Sequence, residues 1–339
     1  MQIKDFIGNE RLVSLLRGGR LPQSSLFAGP QGIGKRTLAL LLAQMANCKQ
    51  PEEDDLCGKC RSCARARSGN HPDIRLIRAE GATIKIDAIR QLNQEAHYRP
   101  YEGFLRFFII DEAERMTEEA ANSLLKNLEE PPDTTRIILV SAYPQRLLPT
   151  IRSRCQTFSF LPLSVLKVQS YLEERTAVDR PEIRAGFSGG SLGVALALEV
   201  EPLLESRDLL LEILEEWINH RSFHRLYERI EGNQLRARMK SRDSVQELLQ
   251  LLQMILFDIY YLQVETEERI VNRDRIESLK EIALKVPLSL LRSFLQQVAL
   301  AQRDLEQYVN PLMCFETLWL TLSGKPSKKI TSFESRFSL

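Results

Sequence analysis

The chain has 339 residues, enough for two or three domains with cores of their own, and its 43% hydrophobic and 27% charged residues are ordinary for a globular protein. A formal net charge of +1 excludes a global basic field for nucleic acid, so any DNA contact must be local or shared with partners. The start, Met1-Gln2-Ile3-Lys4-Asp5, lacks a signal peptide's apolar core, and no later stretch is apolar and long enough to span a bilayer, so a cytoplasmic protein without membrane contacts is expected.

In chain order, Glu10 to Arg17 reads as a short helix closed by Gly18-Gly19, followed by a Leu21-Pro22 turn. Ser25 to Ala28 is a short apolar run that leads into Gly29-Pro-Gln-Gly-Ile-Gly-Lys-Arg-Thr37, and Leu38 to Ala43 is plainly helical. Strand, glycine-rich loop and helix in that order are the setting of a phosphate-binding P-loop. Gly29, Gly32 and Gly34 would let backbone N–H groups wrap an anion at a helix N-terminus, and Lys35 would reach the outer phosphates. The hydroxyl that ordinarily follows the lysine and holds Mg²⁺ is replaced by Arg36; Thr37 is one helical step further, turned by roughly 100°.

Asp73 to Ile77 alternates like a strand, and Ile84 to His97 has helical spacing. Phe107 to Ile110 and Ile137 to Val140 read as strands buried on both faces, separated by the helix Leu124 to Glu130, which Pro131-Pro132 stops. Strands alternating with helices predict a parallel α/β sheet. Past about Phe160 strand-like runs cease. Pro162 to Leu172 and Pro181 to Leu198 form a small helical piece broken by Gly186 and Gly189-Gly190. Longer helices follow from Leu203, with Val245, Leu248, Leu249, Leu252, Leu256 and Ile259 on one apolar face, then Leu288 to Leu300 and Pro311 to Leu322. The run Arg221 to Arg242 is basic, which is most often a solvated helix face, and the tail from Gly324 is polar.

Three groups carry chemistry. Asp111 and Glu112 end a buried strand as a Walker B pair would, Asp111 to hold Mg²⁺ and Glu112 to activate water. Cys48, Cys57, Cys60 and Cys63 lie close together in a segment too polar for a core, as a structural zinc site requires; His71 is a distant reserve, expected at the surface. Cys155 and Cys314 read as small buried hydrophobes. Ser141, at the tip of a sheet strand, is a candidate phosphate contact.

Together these elements resemble the AAA+ clamp-loader proteins of bacterial DNA polymerase III. The motifs that carry the likeness are Gly29 to Thr37, the cysteine insert after the P-loop helix, Tyr101-Glu102-Gly103 and Asp111-Glu112-Ala113-Glu114. Asn122-Ser123-Leu124-Leu125-Lys126 to Glu129-Glu130-Pro131-Pro132 and Leu148-Pro149-Thr150-Ile151-Arg152-Ser153-Arg154-Cys155 complete it. The likeness is strong over residues 1–200 and weaker beyond. It implies a RecA-like α/β domain over 1–161 with a zinc module at about 48–70, a helical lid over 162–202, an all-α collar over 203–323 and a tail at 324–339. It also implies a pentameric ring with gamma/tau- and delta-type subunits that loads a sliding clamp on primer-template DNA, as part of a DNA polymerase holoenzyme. In such rings the arginine of the Ser-Arg-Cys element acts in a neighbour's nucleotide site, which makes Arg154 the candidate trans finger.

Two departures separate this chain from the family's ATPases. Arg36 replaces the metal-binding hydroxyl, and Gly193 stands where hydrolysing members carry a sensor arginine. The expectation is a subunit with weak or absent ATPase of its own, Glu112 being a vestige of the base. ATP or ADP is the candidate nucleotide and Mg²⁺ is in doubt. The alternative is an active gamma/tau-type ATPase, which the retained Lys35, Asp111 and Glu112 favour.

Overall fold

Side chains that alternate along three apolar runs build the centre of the N-terminal unit. The computed structural model describes residues 2–17, 21–52, 55–220, 239, 241–306 and 309–322. The Gly18-Gly19 stop, nearly all of the basic run Arg221 to Arg242 and the tail from Gly324 lie outside them. The chain divides into two compact units, 1–198 and 199–339.

In the first unit, β1 (Ser24–Ala28), β2 (Ile74–Ile77), β3 (Arg106–Ile110), β4 (Thr135–Ser141) and β5 (Gln156–Ser159) pair in parallel in the order β2-β3-β4-β1-β5. Phe27, Phe107, Ile109, Ile138 and Val140 face one core, and Leu26, Phe108, Ile110, Ile137 and Leu139 face the other. This period of two is what a sheet covered on both sides requires. The first core is covered by α1 (Glu10–Arg17) and α2 (Lys35–Ala46), with the cysteine segment and its short helix α3 (Arg61–Arg67); the second by α4 (Ile86–Ala96) and α5 (Glu118–Glu129). Helix α5 starts earlier than Leu124 because Thr117 caps it, its hydroxyl accepting the Ala120 N–H at 3.3 Å.

The strand β5 has no counterpart in the sequence reading. It is a four-residue edge strand with only Phe158 buried, so its apolar signal is too thin to register. After the short α6 (Pro149–Arg152) come α7 (Val165–Arg175), α8 (Pro181–Phe187) and α9 (Leu192–Ala197). Gly186 does not break this piece, being buried inside α8; the break falls at Gly189-Gly190, where φ is +58° and +79°.

The second unit consists of α10 (Val200–His220), α11 (Arg242–Gln263), α12 (Ile276–Lys285), α13 (Leu288–Glu306) and α14 (Pro311–Leu322) among the described residues. The expected apolar face of α11, Val245 to Ile259, is buried throughout, and Trp217, Phe294 and Trp319 meet with ring centroids 4.9 to 6.2 Å apart. No helix among the described residues is long and apolar enough to cross a membrane.

One carboxylate organises the segment that leads into β3. Asp73 is fully buried and accepts the N–H groups of Tyr101 (2.6 Å), Glu102 (2.9 Å) and Gly103 (2.8 Å), with Arg106 at 3.2 Å. Burial alone would raise its pKa, but these donors outweigh it and hold the carboxyl below the usual range. Asp73→Ala should destabilise the first unit by about 3 kcal/mol, read by thermal or urea unfolding. Because the folded-state pKa is depressed, the stabilisation is complete above the unfolded value of about 3.9 and drains away only as pH falls below it. The gap between wild type and variant should therefore hold from neutral pH to about pH 5 and close in stronger acid.

Candidate functional site

Because β1, β3 and β4 run parallel, the loops that follow them emerge at one edge of the sheet and enclose a cleft of about 320 Å³. Gln31, Gly32, Gly34, Lys35, Arg36 and Thr37 line it from the P-loop, Asp111, Glu112 and Glu114 from beyond β3, and Ala142 and Tyr143 from beyond β4. Gly193 of α9 closes the remaining side.

The loop has the backbone that an anion cradle needs. Gly29, Gly32 and Gly34 have φ of +148°, +73° and +92°, and at Gly34 a side chain would collide with the ring of Phe6. Gly34 also caps α2, so Lys35 is its first residue. Lys35 is buried, and its Nζ donates to Gly29 O at 2.5 Å and Pro30 O at 2.6 Å. Burial lowers its pKa to about 8, against the opposing pull of Glu114 and Asp111, so it remains mostly charged at neutral pH.

Arg36, at the start of α2, turns its side chain toward the end of β3. Its Nη1 donates to Asp111 Oδ2 at 2.8 Å, and Arg78 Nε lies 3.9 Å from the same oxygen. Glu112, at φ +51°, pairs with Arg115 at 2.7 Å, and Arg115 also donates to the Gly81 and Ala82 carbonyls. Glu114 accepts the Ala142 N–H at 3.1 Å through one oxygen, while its other oxygen is buried without a hydrogen-bond partner among the described residues. Neither Arg78 nor Glu114 carried a role in the sequence reading. Arg78 has no motif to mark it, whereas Glu114 lies three residues past Asp111 and a helical turn there would have turned it back toward the strand ends.

Ser141 lies at the expected strand end, but the residue does not line the cleft; it is buried and its hydroxyl accepts the Tyr143 N–H at 3.1 Å. Gly193 docks directly on the P-loop. Its N–H donates to Gly32 O at 2.9 Å, and a Cβ at either glycine would meet heavy atoms of the other segment at 2.4 to 2.9 Å. Arg154 lies away from the cleft, pairing with Glu129 at the end of α5 and donating to Thr150 O at 2.9 Å. Such a partly exposed pair contributes about 0–1 kcal/mol, so exchanging Glu129 for another anion would cost little.

The four cysteines of the insert come together with every Sγ within 4.8 Å of the others, three of the four buried. Tetrahedral coordination with metal–sulfur bonds near 2.3 Å needs sulfurs about 3.8 Å apart. The pairs Cys48–Cys57, Cys48–Cys63 and Cys57–Cys63 stand at 3.5, 3.6 and 4.0 Å, so the set fits a metal ion. Backbone N–H groups of Cys57, Lys59, Cys60 and Cys63 point at the sulfurs, as thiolate ligands need. His71 is not at the surface. It is buried, its Nδ1 accepts the Asp73 N–H at 3.1 Å and its Nε2 lies 3.0 Å from the Ser62 hydroxyl, so both nitrogens are committed outside the cluster. Cys155 and Cys314 are buried as expected, and burial pushes the Cys155 thiol up to about 12.

The cysteine segment also fixes the chain start. Asp55 accepts the Ile3 and Lys4 N–H groups, both at 3.0 Å, just before Phe6 meets Gly34. Adding a chelator to the full chain loaded with Zn²⁺ should lower its melting temperature and raise amide exchange at Ile3 and Lys4, read by hydrogen-exchange mass spectrometry. Unchanged protection there would break this link.

A glycine-rich loop and a strand-end acid on a parallel sheet of order β2-β3-β4-β1-β5 define an AAA+ fold, extended here by a four-cysteine insert and a helical unit. Comparison with known proteins narrows the class. The family described as "DNA polymerase III, delta subunit" matches residues 8–164, and "DNA polymerase III, delta subunit, C terminal" matches 221–323. DNA polymerase III subunit delta' of Bacillus subtilis is 32% identical over 314 residues, covering 92% of this chain and 94% of the relative. The Escherichia coli subunit delta' is 30% identical over 234 residues, 68% of this chain and 70% of the relative. Subunit tau of Escherichia coli is 33% identical over 205 residues, but these are 57% of this chain and only 32% of tau. The chain belongs to the family of bacterial DNA polymerase III delta' subunits.

Proposed function

We propose that this chain serves in a clamp loader as a subunit that lends catalytic charge to a neighbour and does not turn over nucleotide itself. The observation that carries the reading is the ion pair between Arg36 and Asp111, which commits to a guanidinium the acid that a hydrolysing subunit reserves for its metal. Glu112, bound to Arg115, is likewise not free to activate water. At Gly193 there is no side chain to follow the outer phosphate. The cleft still holds a nucleoside di- or triphosphate through the loop N–H groups and Lys35, and the four cysteines hold a structural Zn²⁺.

On this reading Arg154 is the finger. It is reached from the next subunit once its weak pairing with Glu129 is exchanged for a transferring phosphate. Residues 1–161 form the nucleotide domain, 162–202 the lid and 203–323 a collar that assembles with gamma/tau- and delta-type subunits around a sliding clamp and primed DNA. A gamma/tau-type motor is favoured by the retained Lys35 but requires a free Asp111, which Arg36 denies.

The test is reconstitution with gamma/tau- and delta-type subunits, a sliding clamp and primed DNA. Arg154→Ala should leave assembly unchanged by gel filtration while one neighbouring site loses about 10³-fold or more in rate, so that the complex loses that site's share of ATP turnover. The isolated chain should show no Mg-ATP turnover. Robust turnover that Lys35→Ala abolishes would sink the proposal.

A further inference from the structure

We infer that Arg36 stands in for the divalent ion, making the cleft a metal-independent site for a nucleoside di- or triphosphate; this rests on the reading of the cleft as a nucleotide cradle. In an ordinary P-loop, Mg²⁺ bridges the hydroxyl after the lysine, the strand-end acid and the phosphate oxygens. The residues here do not fit that ion. The hydroxyl is absent, Arg36 Nη1 lies 2.8 Å from Asp111, and Arg78 lies 3.9 Å from the same oxygen. A cation placed at Asp111 would have to displace one guanidinium and approach a second.

The charge that the ion would supply is nevertheless present. One carboxylate with one divalent ion sums to a single positive charge, and one carboxylate with two guanidiniums sums to the same. The Arg36 side chain is about half exposed, lines the cleft and has no partner among the described residues other than Asp111, so its remaining N–H donors are available to phosphate oxygens. A guanidinium presents a planar fork that matches phosphate in a bidentate way, and it is charged at every accessible pH. Lys35 lies beside it as the adjacent residue on α2, held on the Gly29 and Pro30 carbonyls that a phosphate would replace. Asp111 thus acts as a positioning residue that aims a tethered cation.

The experiment is titration of the full chain with ADP and with the non-hydrolysable analogue AMP-PNP, by calorimetry, in excess EDTA and in excess Mg²⁺. The wild type should bind in EDTA with an affinity within about threefold of that in Mg²⁺, or tighter. Arg36→Thr, which restores the hydroxyl and vacates Asp111, should make binding depend on Mg²⁺ by about tenfold or more. With ADP present, Mn²⁺ should be held near the nucleotide by the variant and not by the wild type, read by water proton relaxation. Binding by the wild type only when Mg²⁺ is present overturns the inference and leaves the cradle intact. No binding by wild type or variant in either condition overturns the cradle and the inference with it.

Discussion

Parallel pairing of β1 with β4 and of β4 with β3 forces three loops to leave the sheet at one edge, and everything the N-terminal unit offers chemically follows from that. The P-loop, Asp111 and the Ala142-Tyr143 turn share no sequence neighbourhood, yet strand register fixes their separation. Leu26 lies beside Leu139, and Ile138 beside Ile109, so the backbone geometry of the cleft is set by the sheet core before any ligand arrives. Cores on both faces hold the register, because a slip by one residue would turn Phe27 and Leu26 each into the wrong layer.

On this frame the charges are arranged in closed pairs. Asp111 has Arg36 and Arg78, Glu112 has Arg115, and Arg154 has Glu129. Lys35 is satisfied by two carbonyls of its own loop. Outside the cleft, Asp73 and Asn47 do similar work with backbone groups: Asn47 accepts the Phe104 and Leu105 N–H groups at 2.7 and 3.0 Å, which anchors the entry to β3 to the end of α2. The result is a module whose polar atoms are mostly answered within the unit, with one oxygen of Glu114 an exception.

Most of this framework was legible in the sequence because the signals were strong and local. Phe107 to Ile110 and Ile137 to Val140 are uninterrupted apolar runs, and they became β3 and β4. The helices at Glu10 and Pro311 kept the expected bounds. The cysteine spacing correctly foretold a cluster that fits a metal ion. What escaped were features that depend on partners distant in sequence. The strand β5 owes its existence to pairing with β1, since its own residues are mostly exposed. His71 lies in a polar stretch and is buried because Ser62 and the Asp73 backbone take both its nitrogens. The direction of Arg36 could not be read because the acid it meets lies 75 residues away.

The contact between Gly32 and Gly193 has a consequence for how this chain can change. Each glycine leaves space that the other segment fills, so a methyl group at either position strikes the opposite backbone or the Ser191 hydroxyl. Neither position can accept a side chain while the two segments touch. A descendant with a long residue at 193 would first have to acquire substitutions elsewhere that lift α9 away from the loop. The order of those events is fixed by steric exclusion: space between α9 and the loop has to open before residue 193 can lengthen.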